Sequence, residues 1–393
     1  MSAEAGKLHH PAPAPMGGKL ITTTTVFLSL LVLAMVGVLA VRFVLGLGAT
    51  TNMNQGYPWG IWIAYDVVAG TALAGGGFST AMLVYILNRG QYHPLIRPAL
   101  VAALLGYMMA GFSVMFDLGR YWDFWHIISP SYAQPNSVLF EVAVCIMAYV
   151  VILLIEFLPV VMERLGWERA RGRLNKLLFV IIAIGVLLPT MHQSSLGTLL
   201  VVLGPQIHPL YQSTILPILF LTSTVGIGFA AVTLEGAISS MGLRRPFEKE
   251  ILAQLLQVGR ILMALFLVVR FADILYRGVF GLAFTLSAPM VTFWLENFLY
   301  SVPLWLLATP VSRTKAKRVF LSAMAMALGG VLYRMAAFLV AYNTGAGWHY
   351  FPSLGEMTVT VGLIAFEVLF IILAIRLLPI LPAATPESAT RTS

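Results

Sequence analysis

Ten long apolar stretches separated by short connections constrain this chain more than any other feature. They run Thr22–Leu47, Pro58–Leu87, Leu95–Arg120, Asn136–Met162, Leu174–Gln193, Ser213–Met241, Glu250–Arg277, Leu282–Thr309, Ala316–Asn343 and Met357–Leu378. A helix needs about 20 apolar residues to cross the roughly 30 Å hydrocarbon core of a bilayer, and inside lipid only structures that satisfy every backbone polar group survive. With 59% hydrophobic and 10% charged residues, the chain has no stretch polar enough for a soluble domain. The expected fold class is therefore all-α, a polytopic membrane protein of about ten transmembrane helices. The segment Ser194–Ile207 is apolar but short and interrupted by Gly204-Pro205, so it reads as a re-entrant or surface piece.

The division that follows is a disordered, Pro-rich N-terminus over residues 1–21, a transmembrane helical domain over 22–380 and a tail over 381–393. Thr22–Leu47 is too long for a signal-peptide core and reads as an uncleaved first span. The formal charge of +8 is concentrated in alternate connections, around Arg89 and Arg97, Arg164 to Lys176, Arg244 to Lys249 and Arg313 to Arg318. The other set of connections carries only Arg42, Arg120 and Arg277, all at helix ends. Such alternation sets orientation in a membrane and gives no reason to expect nucleic acid as a partner. It predicts a multi-pass protein of the inner (cytoplasmic) membrane with both termini cytoplasmic.

Redox chemistry is bounded by residue type. The single cysteine, Cys145, cannot form a disulfide or hold an iron–sulfur cluster within this chain. The seven histidines, His9, His10, His93, His126, His192, His208 and His349, all read as tail, loop or helix-end positions. A membrane haem held by paired histidines on facing helices is not expected, nor is a metal site.

The charged and polar residues within the apolar runs carry the functional signal, because such groups are costly in lipid and face bundle interiors or cavities. Asp117 and Arg120 share a helical face and end the third run; Glu141 lies just inside the fourth, and Asp66 two turns into the second, below Tyr57, Pro58 and Trp59. Trp59 and Trp62 also suit an interfacial aromatic belt. His192-Gln193 closes the fifth run at the same end as Asp117 and Glu141, Tyr107 lies deeper in the third, and Glu235 and Glu156 lie toward the basic ends of theirs. Arg270, Asp273 and Arg277 are spaced as a structural ladder, and Arg334 and Glu296 are a candidate pair between spans. Gly70, Ala74 and Gly77 form a stripe that admits a close neighbour.

Five motifs occur together: Tyr57-Pro58-Trp59-Gly60-Ile61-Trp62, Asn88-Arg89-Gly90-Gln91-Tyr92-His93-Pro94, Asp117-Leu118-Gly119-Arg120-Tyr121-Trp122, Asn136-Ser137-Val138-Leu139-Phe140-Glu141 and Pro189-Thr190-Met191-His192-Gln193-Ser194-Ser195. From Gly17 to Pro382 the chain resembles the NrfD/PsrC-type membrane subunits, and within them those of hydrogenase-2-type nickel–iron hydrogenases. The resemblance implies two four-helix bundles with flanking helices, and a haem-free, quinone-reactive anchor using menaquinone or ubiquinone as substrate. It implies a periplasmic ferredoxin-like iron–sulfur subunit and the [NiFe] hydrogenase large and small subunits as partners, with lipid around the helices. His192, Asp117, Arg120, Trp59 and Tyr57 are then the quinone-binding candidates. Glu141, Asp66, Tyr107 and Glu235 are the proton-transfer candidates. A membrane subunit of a related molybdopterin reductase complex and a secondary transporter are the alternative readings; a transporter shows similar intramembrane acids and small-residue stripes.

Overall fold

The computed structural model describes residues 12–242, 249–345 and 347–382. Ten long helices run α1 Thr23–Leu45, α2 Trp62–Ile86, α3 Ile96–Asp117, α4 Val138–Leu165, α5 Leu178–Val202, α6 Leu216–Gly242, α7 Lys249–Tyr276, α8 Ala288–Leu306, α9 Ala316–Val340 and α10 Leu354–Leu377. Among the described residues, 9 helices are long and apolar enough to cross a membrane. The remaining one, α8, has 19 residues and buries Glu296 and Asn297 at its centre. Extended pairing among the described residues is confined to isolated bridges, Pro13 with Pro382 and Ile207 with Tyr342.

Helices α2 to α5 pack as one bundle and α6 to α9 as a second, while α1 lies against α10 and the pair flanks the first bundle. The bundles meet along α5–α6 and α2–α6. Glycine permits that approach: a Cβ on Gly228 of α6 would stand 2.7 Å from the carbonyl carbon of Gly75. The small-residue stripe of α2 faces α3, Ala74 against Gly106 and Gly77 against Ala103. One end of the molecule carries the basic connections, joined by Arg97 to Glu163 at 2.8 Å. The opposite, aromatic end carries Tyr57, Trp59, Tyr342 and Tyr350 in mutual ring contact.

Helix ends follow the local sequence. Thr22 and Thr25 form a capping box at α1, Ser353 and Glu356 another at α10, and Ser287 caps α8 ahead of a proline in its first turn. Helix α2 is irregular, with wide π-type turns over Trp62–Ala69 and Met82–Ile86. Such turns recur at functional sites, and Asp66 sits in the first.

Two expectations are corrected. Helix α5 does not stop at Gln193 but continues to Val202, so most of the segment read as re-entrant is its last turns. Pro189 is tolerated within it, as in other membrane helices, and the hydroxyls of Thr190, Ser194, Ser195 and Thr198 bond back to carbonyls of the preceding turn. Those bonds let a polar run sit inside a helix. The other correction concerns the N-terminus. Residues 1–11 lie outside the described residues, but Ala14, Met16 and Gly17 donate backbone hydrogen bonds to Leu381, Ile375 and Arg376, tying the start of the chain to the end of α10. Of the tail expected over 381–393, residues 383–393 also lie outside the described residues, as do Arg244 and Arg245.

Candidate functional site

A polar layer lies at mid-depth where the two bundles meet. His192 and Gln193 on α5, Thr71 on α2, Thr224 on α6 and Arg334 on α9 are all fully buried. Gln193 bridges the bundles: its Nε2 donates to Thr71 Oγ1 at 2.9 Å, and its Oε1 accepts from Thr224 Oγ1 at 2.7 Å. Arg334 Nη2 donates to Thr224 Oγ1 at 2.6 Å and to the Phe220 carbonyl at 3.1 Å, and its guanidinium lies 5.1 Å from the Phe220 ring centre. His192 Nε2 lies 3.2 Å from Thr71 Oγ1. Thr71 directs its own hydroxyl hydrogen to the Val67 carbonyl, so toward His192 it accepts. The imidazole also meets the backbone of Val142 on α4. The hydroxyl of Tyr107 approaches the Gln193 side chain, and its ring meets His192 at 5.8 Å and Tyr149 at 4.5 Å. His192, Tyr107 and Gln193 thus form one buried polar cluster in an apolar interior.

The histidine count is corrected with the helix. His192 lies in the middle of α5 rather than at its end. Asp117, ten residues from Tyr107 along α3, therefore stands about 15 Å from the level of His192. The structure brings together His192 and Tyr107, but not His192 with Asp117 and Arg120.

The remaining quinone candidates gather at the aromatic end. Trp59 is buried, donates Nε1 to the Phe338 carbonyl at 2.9 Å and packs on Phe338 and Tyr342. Tyr57 packs between Tyr342 and Tyr350. Trp62 is also buried, donating to the Glu356 carbonyl at 3.1 Å, so neither tryptophan belongs to a lipid-facing belt. Asp117 and Arg120 make no ion pair with each other among the described residues: Arg120 is exposed and Asp117 Oδ1 is buried without a partner. The base that folds onto this helix end is Arg42, which donates Nε to the Phe116 carbonyl at 2.8 Å and Nη2 to that of Leu118. It satisfies carbonyls that the end of α3 leaves open.

The acids fall into a separate group. Asp66 and Glu235 line one cavity of about 220 Å³ between α2, α3, α6 and α10, together with Tyr65 and Glu367. Asp66 is 7% exposed with Oδ2 unpartnered, beside the hydroxyls of Ser113 and Thr360. Glu141, half-buried in the first turn of α4, is not among the residues lining this cavity. Glu156 lies against Gly185 and makes no ion pair with the loop arginines among the described residues.

Bundle two holds a polar centre whose pairing the sequence left open. Glu296 pairs with Arg270 at 2.5 Å rather than with Arg334, and Asp273 pairs with Arg277 at 2.8 Å, so the ladder is split between two partners. Thr71, Thr224 and Glu367 were not singled out in the sequence. For Glu367 a signal existed: it is a lone acid inside the last apolar run, the same ground on which Asp66 stood out. For the two threonines there was none, since threonine is common in membrane helices.

Comparison with known proteins places these features. Residues 49–346 match the family described as "Polysulphide reductase, NrfD". Over 94% of its length, and 95% of the relative's, the chain is 43% identical to a protein of Escherichia coli (strain K12) named "Probable Ni/Fe-hydrogenase 2 b-type cytochrome subunit". It is 31% identical to a protein of Nitratidesulfovibrio vulgaris, over 81% of this chain and 84% of that one. With the "Menaquinone reductase, integral membrane subunit" of the same organism it shares 26% identity over 86% of each.

The word cytochrome in the first of those names implies a haem, and the residues present do not fit one. A b-type haem between membrane helices takes facing imidazoles, whereas His192 is the one histidine buried in the interior among the described residues, and its Nε2 is engaged by Thr71. No group of three or more His, Cys, Asp and Glu able to hold a metal ion occurs among the described residues. A multi-pass helical chain with these motifs, matched over most of its length, belongs to the NrfD family of membrane subunits.

Proposed function

We propose that this chain is the haem-free, quinone-reactive membrane anchor of a periplasm-facing [NiFe] hydrogenase complex in the inner membrane, with both termini cytoplasmic. A ferredoxin-like iron–sulfur subunit on the outer face exchanges electrons between the hydrogenase large and small subunits and menaquinone or ubiquinone held by this chain. The observation that carries the reading is the buried cluster of His192, Tyr107 and Gln193 beside Arg334. Relationship to a named hydrogenase subunit and to a named menaquinone reductase subunit supports it.

Reducing a quinone takes two electrons and two protons, and quinol oxidation returns them. His192 accepts the proton of a quinol hydroxyl, and Tyr107 donates to a quinone carbonyl. The Arg334 charge, held by Thr224, Phe220 and Gln193, favours negative charge developing on the ring oxygens. Tyr57, Trp59, Asp117 and Arg120 form the mouth of the site at the aromatic end, where electrons arrive. Protons are relayed through Glu141, Asp66 and Glu235.

The test is to isolate the tagged chain from native membranes in mild detergent. The expected result is co-purification with an iron–sulfur subunit and both hydrogenase subunits, and hydrogen-dependent reduction of a menaquinone analogue. A chain that isolates alone, with neither partners nor quinone-linked turnover, returns the reading to the transporter class.

A further inference from the structure

Glu367 stands outside residues 49–346, the stretch matched by the family, yet it faces the interior acids. It lies midway along α10, and its Oε1 is 3.5 Å from where a Cβ on Gly106 would sit, so it reaches the backbone of α3. The cavity it lines contains Tyr65, Asp66, Glu235 and Glu367 as its ionisable groups and no basic side chain. Carboxyls in an apolar region are usually explained by an ion pair, and these have none among the described residues. The cavity is large enough for several water molecules.

Its extent gives the acids a direction. Glu235 also lines a second cavity, of about 100 Å³, with Ser239 and Ser240 near the basic end. Asp66 lies near the start of α2, toward the aromatic end. Glu367 lies midway along α10, deeper from the aromatic end than Asp66, and Glu235 lies toward the basic end of α6. The order along the membrane normal is therefore Asp66, Glu367, Glu235, and then the serines at the basic end.

We propose that Glu367 is the proton carrier between Asp66 and Glu235, so that the redox site exchanges its protons with the basic end of the molecule. The proposal rests on the quinone-reactive reading above. In each step an O–H bond of one carboxylic acid breaks as its proton passes to a cavity water. That water gives up another proton to form an O–H bond on the next carboxylate. One proton moves per step and no electron does. Helix α10 then supplies a proton carrier as well as a flank.

The test uses the intact complex in liposomes with a menaquinone analogue, comparing Glu367→Gln, Glu367→Asp and Asp66→Asn with the unaltered chain. Expected for Glu367→Gln is quinone-linked turnover about a hundredfold lower, with hydrogen-to-dye turnover unchanged. Glu367→Asp should give an intermediate rate and a larger solvent isotope effect, which a packing role would not produce. Glu367→Gln at the unaltered rate while Asp66→Asn is slow would overturn the proposal and leave the quinone reading standing. Should the Gln variant not assemble, an unaltered rate and isotope effect in Glu367→Asp would overturn it equally. Absence of quinone-linked turnover in the unaltered complex would instead remove the functional reading, and the proposal with it.

Discussion

Arg270 donates through Nη2 to Glu296 Oε1 at 2.5 Å, with both side chains essentially out of solvent, and the guanidinium lies between 4.7 and 5.7 Å from the ring centres of Tyr211, Phe266, Phe293 and Tyr333. The two charges are thus compensated by each other and by the faces of the rings. Glu296→Gln leaves a buried cation without its anion and should destabilise the chain by about 3–5 kcal/mol. Replacing both residues by Met and Leu of similar volume should recover most of that loss. Thermal unfolding in detergent micelles checks both; equal damage from the single and double changes would give the pair a role beyond compensation.

His192→Ala removes the buried imidazole at the bundle junction. One lost hydrogen bond to a bound quinone costs about 1–2 kcal/mol, or roughly tenfold in affinity. Quinone-linked KM should rise by that factor with dye-linked turnover retained. An unchanged KM and rate would take His192 out of the site.

Glu141 is half-buried in the first turn of α4 and makes no ion pair among the described residues. If it relays protons, Glu141→Gln should lower quinone-linked turnover by about two orders of magnitude, and Glu141→Asp should restore part of it. A Gln variant working at the unaltered rate would confine the relay to the acids of the cavity.

Tyr350, in the connection before α10, accepts from Ile61 N at 2.7 Å and donates to Glu356 Oε1 at 2.6 Å. Tyr350→Phe should cost about 1–3 kcal/mol by leaving those groups unpaired. Burial, and then the bond to Glu356, push the Tyr350 hydroxyl above its ordinary value. Above about pH 10 the folded chain holds a proton that the unfolded chain has released. The contribution is therefore complete below that pH and declines as pH rises further. Alkaline melting curves should lose this component in the Phe variant.

A reduced-minus-oxidised spectrum of the purified chain should show no cytochrome bands, because the described residues offer no facing imidazole pair. Stoichiometric haem b would require His192 to bind iron in place of Thr71, or ligands from His9 or His10, which lie outside the described residues.

The fold class was legible because it rests on hydropathy, which survives any arrangement of helices. The two acids Asp66 and Glu235 were legible for a related reason: an ionisable group in lipid has few innocent explanations. The depth of His192 was not. Pro189 and the polar run after it carry the usual marks of a helix end, and only hydroxyls bonding back along α5 show that the helix goes on. Partner choice was equally hidden. Periodicity places Arg270 and Asp273 on one helical face, but whether Glu296 meets Arg270 or Arg334 depends on how α7, α8 and α9 pack.

The pairing of α1 with α10, through Met35 and Leu39 against Val359 and Leu363, joins two helices from opposite ends of the described residues. Until α10 emerges, α1 has no mate and the acids of α2 and α6 face lipid without the wall that α10 provides. Completion of the buried acid cavity is therefore a late event in biogenesis. A chain cut short before Leu354 would leave Asp66 and Glu235 without the wall that α10 gives their cavity. Synthesis of α10 is thus the step that encloses these acids.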